Sequence, residues 1–166
     1  NWTRGILDLA IDNDGFLWAA SGYNGIYKFE GERIIRNYNN RNSSLKFNYT
    51  VNIEKSYDGI LWIVHGAGVS KIINGELVDM TKDLKIPSNT VVRDIAFDQK
   101  GIIWLATSRG LAMYSNDTYT NFNQSNGLIQ PSSNCDVNIG KNGEVIYSTY
   151  GSGMSIYDGK DFKYPK

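Results

Sequence analysis

The 166-residue chain carries few groups able to do covalent or metal chemistry. His65 is the single histidine, which excludes a histidine-rich metal site and leaves any Ser-His-Asp triad dependent on one residue. It stands in His65-Gly66-Ala67-Gly68, a turn without a nucleophile-elbow pattern, and no helix follows that would cradle a phosphate. Cys135 is the single cysteine, so no intrachain disulfide forms; its place in an apolar column suits a small buried side chain. A carboxylate pair for glycoside cleavage stays open. The aspartates nonetheless fall nearly all in turn positions, where they serve backbone geometry. The chain reads as non-enzymatic, with no catalytic residue, no metal ligands and no cofactor.

Binding chemistry is better represented. Tyr23, Asn24, His65, Arg109 and Tyr150 fall in turns whose sequence varies along the chain. Arg41, Asn48, Asn89, Gln130 and Asn134 fall in the longer connections. Aromatic faces beside amides and a guanidinium suit a sugar or small anion, through stacking and bidentate hydrogen bonds. A second set, Asp8, Asn52, Asp94 and Asp136, recurs seven residues before a repeated glycine. These four are expected to line a central channel, holding a cation or polar ligand on its axis or, on the more ordinary reading, accepting backbone N–H bonds or hydrating the channel.

The elements that position these residues come from a repeat. Gly15-Phe16-Leu17-Trp18, Gly59-Ile60-Leu61-Trp62 and Gly101-Ile102-Ile103-Trp104 share one phrase, and Gly143-Glu144-Val145-Ile146 is a degraded copy. The glycines are 44, 42 and 42 residues apart. A unit that short cannot bury its own apolar face and must stack on neighbours. Each unit reads as four strands, A to D. Strand A carries Leu9, Ile53, Ile95 or Val137, and an Asp/Asn/Gly turn leads into the apolar strand B. Strand C starts at Gly25, Gly68, Gly110 or Gly153. A hairpin at Glu30-Gly31, Asn74-Gly75, Asn116-Asp117 or Asp158-Gly159 then leads to a more polar strand D. No helical periodicity appears. The expected fold is an all-β propeller of four-stranded antiparallel blades, four in this chain, at about 4–47, 48–89, 90–133 and 134–166. Trp18, Trp62 and Trp104 are expected to wedge between adjacent sheets, with Ile146 filling the same column.

The segment Asp98-Gln99-Lys100-Gly101-Ile102-Ile103-Trp104-Leu105-Ala106-Thr107-Ser108-Arg109-Gly110-Leu111, with Ile86-Pro87-Ser88-Asn89 before it, resembles the two-component-regulator propeller repeat. The resemblance covers the whole chain and weakens in the fourth unit, at Gly140 and Ile146. It implies the periplasmic sensor part of a membrane-bound hybrid histidine kinase, in a Bacteroidetes-like setting, responding to an oligosaccharide or other small ligand. The alternative is a secreted propeller serving as a protein-interaction platform, at a periplasmic or extracellular address either way.

Seventeen basic and seventeen acidic side chains cancel, and no basic run suggests a nucleic-acid partner. No apolar stretch approaches the roughly 20 residues of a membrane span. The chain starts at Asn1 without a secretory segment, as expected if a signal was removed or the chain is part of something longer. Four blades leave three readings: part of a larger propeller, a closed ring of four, or two copies joined as half-rings. An open arc would expose roughly 400 Å² or more of apolar surface at each end, so self-association through blade faces is expected.

Overall fold

The structure, a computed structural model, describes residues 5–165, so the outermost residues of the expected blade ranges lie outside it. The chain divides into two compact units, Asn1–Asp83 and Leu84–Lys166, each holding two four-stranded antiparallel sheets. In the first unit, blade 1 is β1 (Ile6–Ile11), β2 (Leu17–Ser21), β3 (Gly25–Glu30) and β4 (Arg33–Tyr38). Blade 2 is β5 (Thr50–Lys55), β6 (Leu61–His65), β7 (Gly68–Ile73) and β8 (Glu76–Asp79). In the second unit, blade 3 is β9 (Val92–Phe97), β10 (Ile103–Thr107), β11 (Gly110–Ser115) and β12 (Thr118–Phe122). Blade 4 is β13 (Cys135–Ile139), β14 (Val145–Thr149), β15 (Gly153–Tyr157) and the two-residue β16 (Phe162–Lys163). All four are meanders of sequential neighbours, the construction of β-propeller blades. The one departure from an all-strand chain, among the described residues, is a 3₁₀ turn at Gln124–Asn126, capped by Asn123.

The turns follow from their residues. Asp12 Oδ1 accepts from the N–H groups of Asp14 and Phe16, and Asp98 Oδ1 from those of Lys100 and Ile102, closing each A–B turn locally. The other carboxylate oxygen accepts the indole N–H of the same blade, Trp18 at 2.8 Å and Trp104 at 3.3 Å. In blades 1 and 3 turn aspartate and wedge tryptophan thus act together, the turn supplying an acceptor to the buried indole, whereas blade 2 keeps Trp62 with Ser56 in the turn position. Blade 4 has lost both halves together, with Gly140 and Ile146 in the two positions.

Alternation gives each blade two faces. One carries the Trp column, and within each unit that face of the earlier blade packs on the other face of the later one. In the first unit, Trp18, Ala20, Ile26 and Tyr38 pack onto Ile53, Leu61, Ile63 and Leu77 of blade 2. Trp18 stacks on Tyr38 at 5.6 Å between centroids. In the second unit, Trp104, Ala106 and Leu111 pack onto Cys135, Val137, Val145 and Tyr147 of blade 4. In blades 1 and 3 strand C starts on glycine because its neighbour in strand D is too close for a side chain: a Cβ on Gly25 would lie 2.0 Å from the Tyr38 carbonyl oxygen, and one on Gly110 2.0 Å from that of Phe122.

Candidate functional site

In every blade the B–C turn is hydrogen-bonded to the chain running into strand A. The bonds are Gly22 N–H to Gly5 O (2.7 Å), Gly66 to Tyr49 (2.9 Å), Ser108 to Val91 (2.9 Å) and Tyr150 to Asn134 (2.9 Å). Within each unit this gathers the B–C turns and the long connections onto one rim, where the sequence varies most.

In the first unit the Asn48 amide is spent on the backbone, and Asn24 is tied in through its main chain. Asn48 Oδ1 accepts the Asn40 N–H at 2.8 Å, and the Asn48 carbonyl accepts that of Gly25 at 2.8 Å. The Asn24 carbonyl accepts from Asn37 Nδ2 at 2.9 Å. Asn39 Oδ1 accepts the Arg41 backbone N–H at 2.9 Å, and the Arg41 side chain is exposed. Tyr23 is 71% exposed at the turn. His65, expected on this variable rim, is instead 2% exposed at the end of β6. Its Nδ1 accepts from the Ala67 N–H at 3.2 Å, which fixes the proton on Nε2, and Nε2–H donates to Ser70 Oγ at 3.0 Å. Burial holds its pKa down at about 4, against a smaller upward pull from Asp79. It is a neutral core histidine, turned inward because its turn is stabilised through the ring.

The second unit differs. Arg109 Nη1 donates to Asn89 Oδ1 at 2.7 Å, and both residues are exposed, so two expected site residues meet at the surface. Asn121 Nδ2 bonds the Arg109 carbonyl at 3.2 Å and steadies that turn. Thr90 Oγ1, the Tyr119 hydroxyl and Asn121 Oδ1, all in this blade or the segment leading into it, are buried without a protein partner. Asn134 and Tyr150 meet through their backbones, the Gln130 carbonyl accepts from Thr149 Oγ1 at 3.4 Å, and Tyr150 is 83% exposed. Arg93, which residue type and spacing did not single out, reaches from β9 to the Ser133 carbonyl at 2.8 Å and ties blade 3 to this loop. Asn121 was missed for the same reason, as an unremarkable polar residue on a polar strand.

The expected channel column acts as a set of clasps. Asp8 Oδ2 accepts the Ile53 N–H at 2.9 Å and Asn52 Nδ2 at 3.1 Å, and Asp94 Oδ2 accepts the Val137 N–H at 2.8 Å. Each carboxylate holds the innermost strand of the following blade, from a register shift that lies beside it on its own strand or on the strand paired with it. Asn52 adjoins a shift too; Asp136 lies on a regular ladder and is exposed. No group of three or more His, Cys, Asp or Glu side chains suited to a metal occurs among the described residues.

The sequence profile described as two component regulator propeller matches residues 85–109. No curated protein matches the chain in sequence. Among solved structures, the extracellular domain of a hybrid two-component system from B. thetaiotaomicron is similar at TM-score 0.73 and 20% identity, over 93% of this chain and 22% of that one. Virginiamycin B lyase from Staphylococcus aureus is similar at TM-score 0.70 and 14% identity, over 96% of this chain and 54% of that one. The WD40 β-propeller domain of Doa1 gives TM-score 0.67 and 14% identity, over 97% and 51%. The chain thus spans from about a fifth to about half of the structures it matches, and at these identities the likeness is one of fold. No helix among the described residues is long and apolar enough to cross a membrane. The four-stranded antiparallel blades give the chain a β-propeller construction, and its segment 85–109, running into the third blade, matches the two component regulator propeller profile.

Proposed function

We propose that the chain is the non-enzymatic, ligand-sensing propeller of an extracytoplasmic two-component receptor, taking a carbohydrate or other small polar ligand at its variable rim. The observation that carries this reading is the exposed Asn89–Arg109 pair, which lies inside the matched segment 85–109. Only one guanidinium nitrogen is used by Asn89, so the planar fork keeps donors for a carboxylate, sulfate or vicinal diol. Tyr150, in the same unit, supplies an exposed ring suited to stacking on a sugar face. The similarity to a receptor's extracellular domain supports the sensor role, and the burial of the single histidine against Ser70 favours a non-enzymatic reading over a histidine-based one. A ligand signals here only by binding one receptor state more tightly than another.

The test is calorimetric titration and thermal-shift screening against neutral, uronate-containing and sulfated oligosaccharides. Binding should weaken about tenfold or more in Arg109→Ala with unchanged unfolding temperature. Failure of every sugar, alongside capture of a defined protein partner through the same rim, would replace the sensor with an interaction platform.

A further inference from the structure

Of the guanidinium groups that hydrogen-bond among the described residues, some meet carboxylates and some do not. Arg33 reaches Glu30 at 2.7 Å and Arg36 reaches Glu76 at 2.8 Å. Arg93 and Arg109, both in the second unit, reach neutral oxygens instead: the Ser133 carbonyl at 2.8 Å and Asn89 Oδ1 at 2.7 Å. Neither forms an ion pair with a described carboxylate. Asp94, next to Arg93 in the chain, accepts the Ile95 and Val137 N–H groups, and the exposed Asp136 pairs with neither arginine. A bond to a neutral acceptor fixes where a guanidinium points and leaves its charge uncompensated.

The two charges lie on one continuous stretch of the second unit's rim. The Ser108 N–H donates to the Val91 carbonyl at 2.9 Å, and the Val91 N–H donates to Ser108 Oγ at 3.1 Å. The turn carrying Arg109 is thereby stitched to the segment that runs from Asn89 into Arg93. Two residues of strand, about 7 Å, separate Val91 from Arg93. The path continues through Ser133 to Asn134, whose carbonyl holds the Tyr150 N–H at 2.9 Å, and the Tyr150 ring is 83% exposed at its end. Arg109 is exposed and Arg93 half-buried, so a counter-charge at Arg93 is worth more than in an ordinary surface pair. On the first unit's rim, by contrast, Lys46 is already neutralised by Asp79.

On the reading that this rim is the ligand site, we infer that it selects an anionic saccharide, uronate or sulfated, with Arg109 and Arg93 reading the negative charge and the Tyr150 ring stacking on a sugar face. A neutral sugar displaces water from both guanidinia and leaves their charges unmatched, whereas an acidic group supplies the match. Carboxylate and sulfate both offer paired oxygens to the guanidinium fork.

The test follows the arginine Nε–H signals by NMR while the purified chain is titrated with sodium sulfate, sodium glucuronate or glucose at constant ionic strength. One or both anions should shift Arg93 and Arg109 along saturating curves with a shared midpoint, about tenfold or more below any response of the exposed Arg41; glucose should shift neither. Saturation by sulfate alone points to a sulfated ligand, by glucuronate alone to a uronate. Arg109→Lys keeps the charge and loses the fork, and should raise the midpoint seen at Arg93 about tenfold; Arg93→Lys, which keeps a donor for Ser133, should do the same to Arg109. Separate midpoints, or non-saturating shifts like those of Arg41, would mean an adventitious ion only and overturn the inference. Binding of a neutral oligosaccharide through Arg109, with both anions silent, also overturns it and leaves the sensor reading standing. Saturable sulfate with no response to glucuronate or to any oligosaccharide removes the saccharide from both readings.

Discussion

The two units seal the same kind of seam with different chemistry. In the first, Thr50 Oγ1 lies 2.9 Å from the carbonyls of both Ser21 and Gly25, between which its one proton is shared, and it accepts the Ser21 N–H at 2.9 Å. The His65–Ser70 bond lies on the same sheet, with Thr50 paired directly to His65 across the strands. In the second, Cys135 occupies the place of Thr50 and reaches the Thr107 carbonyl only through sulfur, at 3.5 Å. Aromatics do the sealing there: Trp104 lies 6.2 Å from Phe122 and 5.8 Å from Tyr157, which packs on Phe162 at 4.9 Å. Repeated architecture thus constrains the volume to be filled and leaves open whether hydrogen bonds or rings fill it. The first solution depends on pH; the second should not.

The sharpest way to break this contrast is Trp104→Ala, expected to destabilise the second unit by about 3–5 kcal/mol in denaturant titration, since the ring cluster cannot collapse into the void. Next comes acid. His65 is held neutral by burial, with Asp79 and Lys46 as the charges acting on it, so the unfolded chain takes up a proton near pH 6.5 that the folded chain takes up only near pH 4. Stability of the first unit is therefore full above about pH 6.5 and falls by up to about 3 kcal/mol as pH drops to 4. His65→Gln should flatten that slope, and an unchanged slope between about pH 6.5 and 4 would overturn the assignment to His65. Asp79, whose burial is outweighed by bonds from Lys46 and Thr81 so that its carboxyl sits at about 2, contributes only to a separate loss below about pH 4. Gly25→Ala should cost of the order of 1–3 kcal/mol, through the clash with Tyr38 and the left-handed backbone at φ 78°. Last and most diagnostic, Thr50→Val should cost about 1–2 kcal/mol while Cys135→Val stays within about 0.5 kcal/mol. Equal costs would mean that the two seams are sealed alike.

Much of the architecture was legible because it is periodic. The glycines, turn aspartates and apolar B strands recur at near-constant spacing, and such a pattern has few physical solutions. The rim was less legible. Asn48 has the composition of a binding residue, yet its amide holds the 39–48 connection, and Asn24 bonds Asn37 through its main-chain carbonyl. His65 lies in a turn by sequence and in the core by structure, because its Nδ1 closes that turn from within. The Asp8 and Asp94 column was readable as a column; that each carboxylate grips the next blade depends on strand juxtaposition, which local sequence does not encode. The paired loss of turn aspartate and tryptophan in the fourth unit was visible as two separate departures and became one only when the indole bond was seen.

The sulfur that replaces a hydroxyl in the second seam has a practical consequence. Burial pushes the Cys135 thiol up to about 11, so almost no thiolate exists at neutral pH and reagents in solution find nothing to attack. Labelling of this lone thiol can proceed only through excursions that part β13 from β10, so its rate clocks how often those two sheets come apart, with no probe added to the protein.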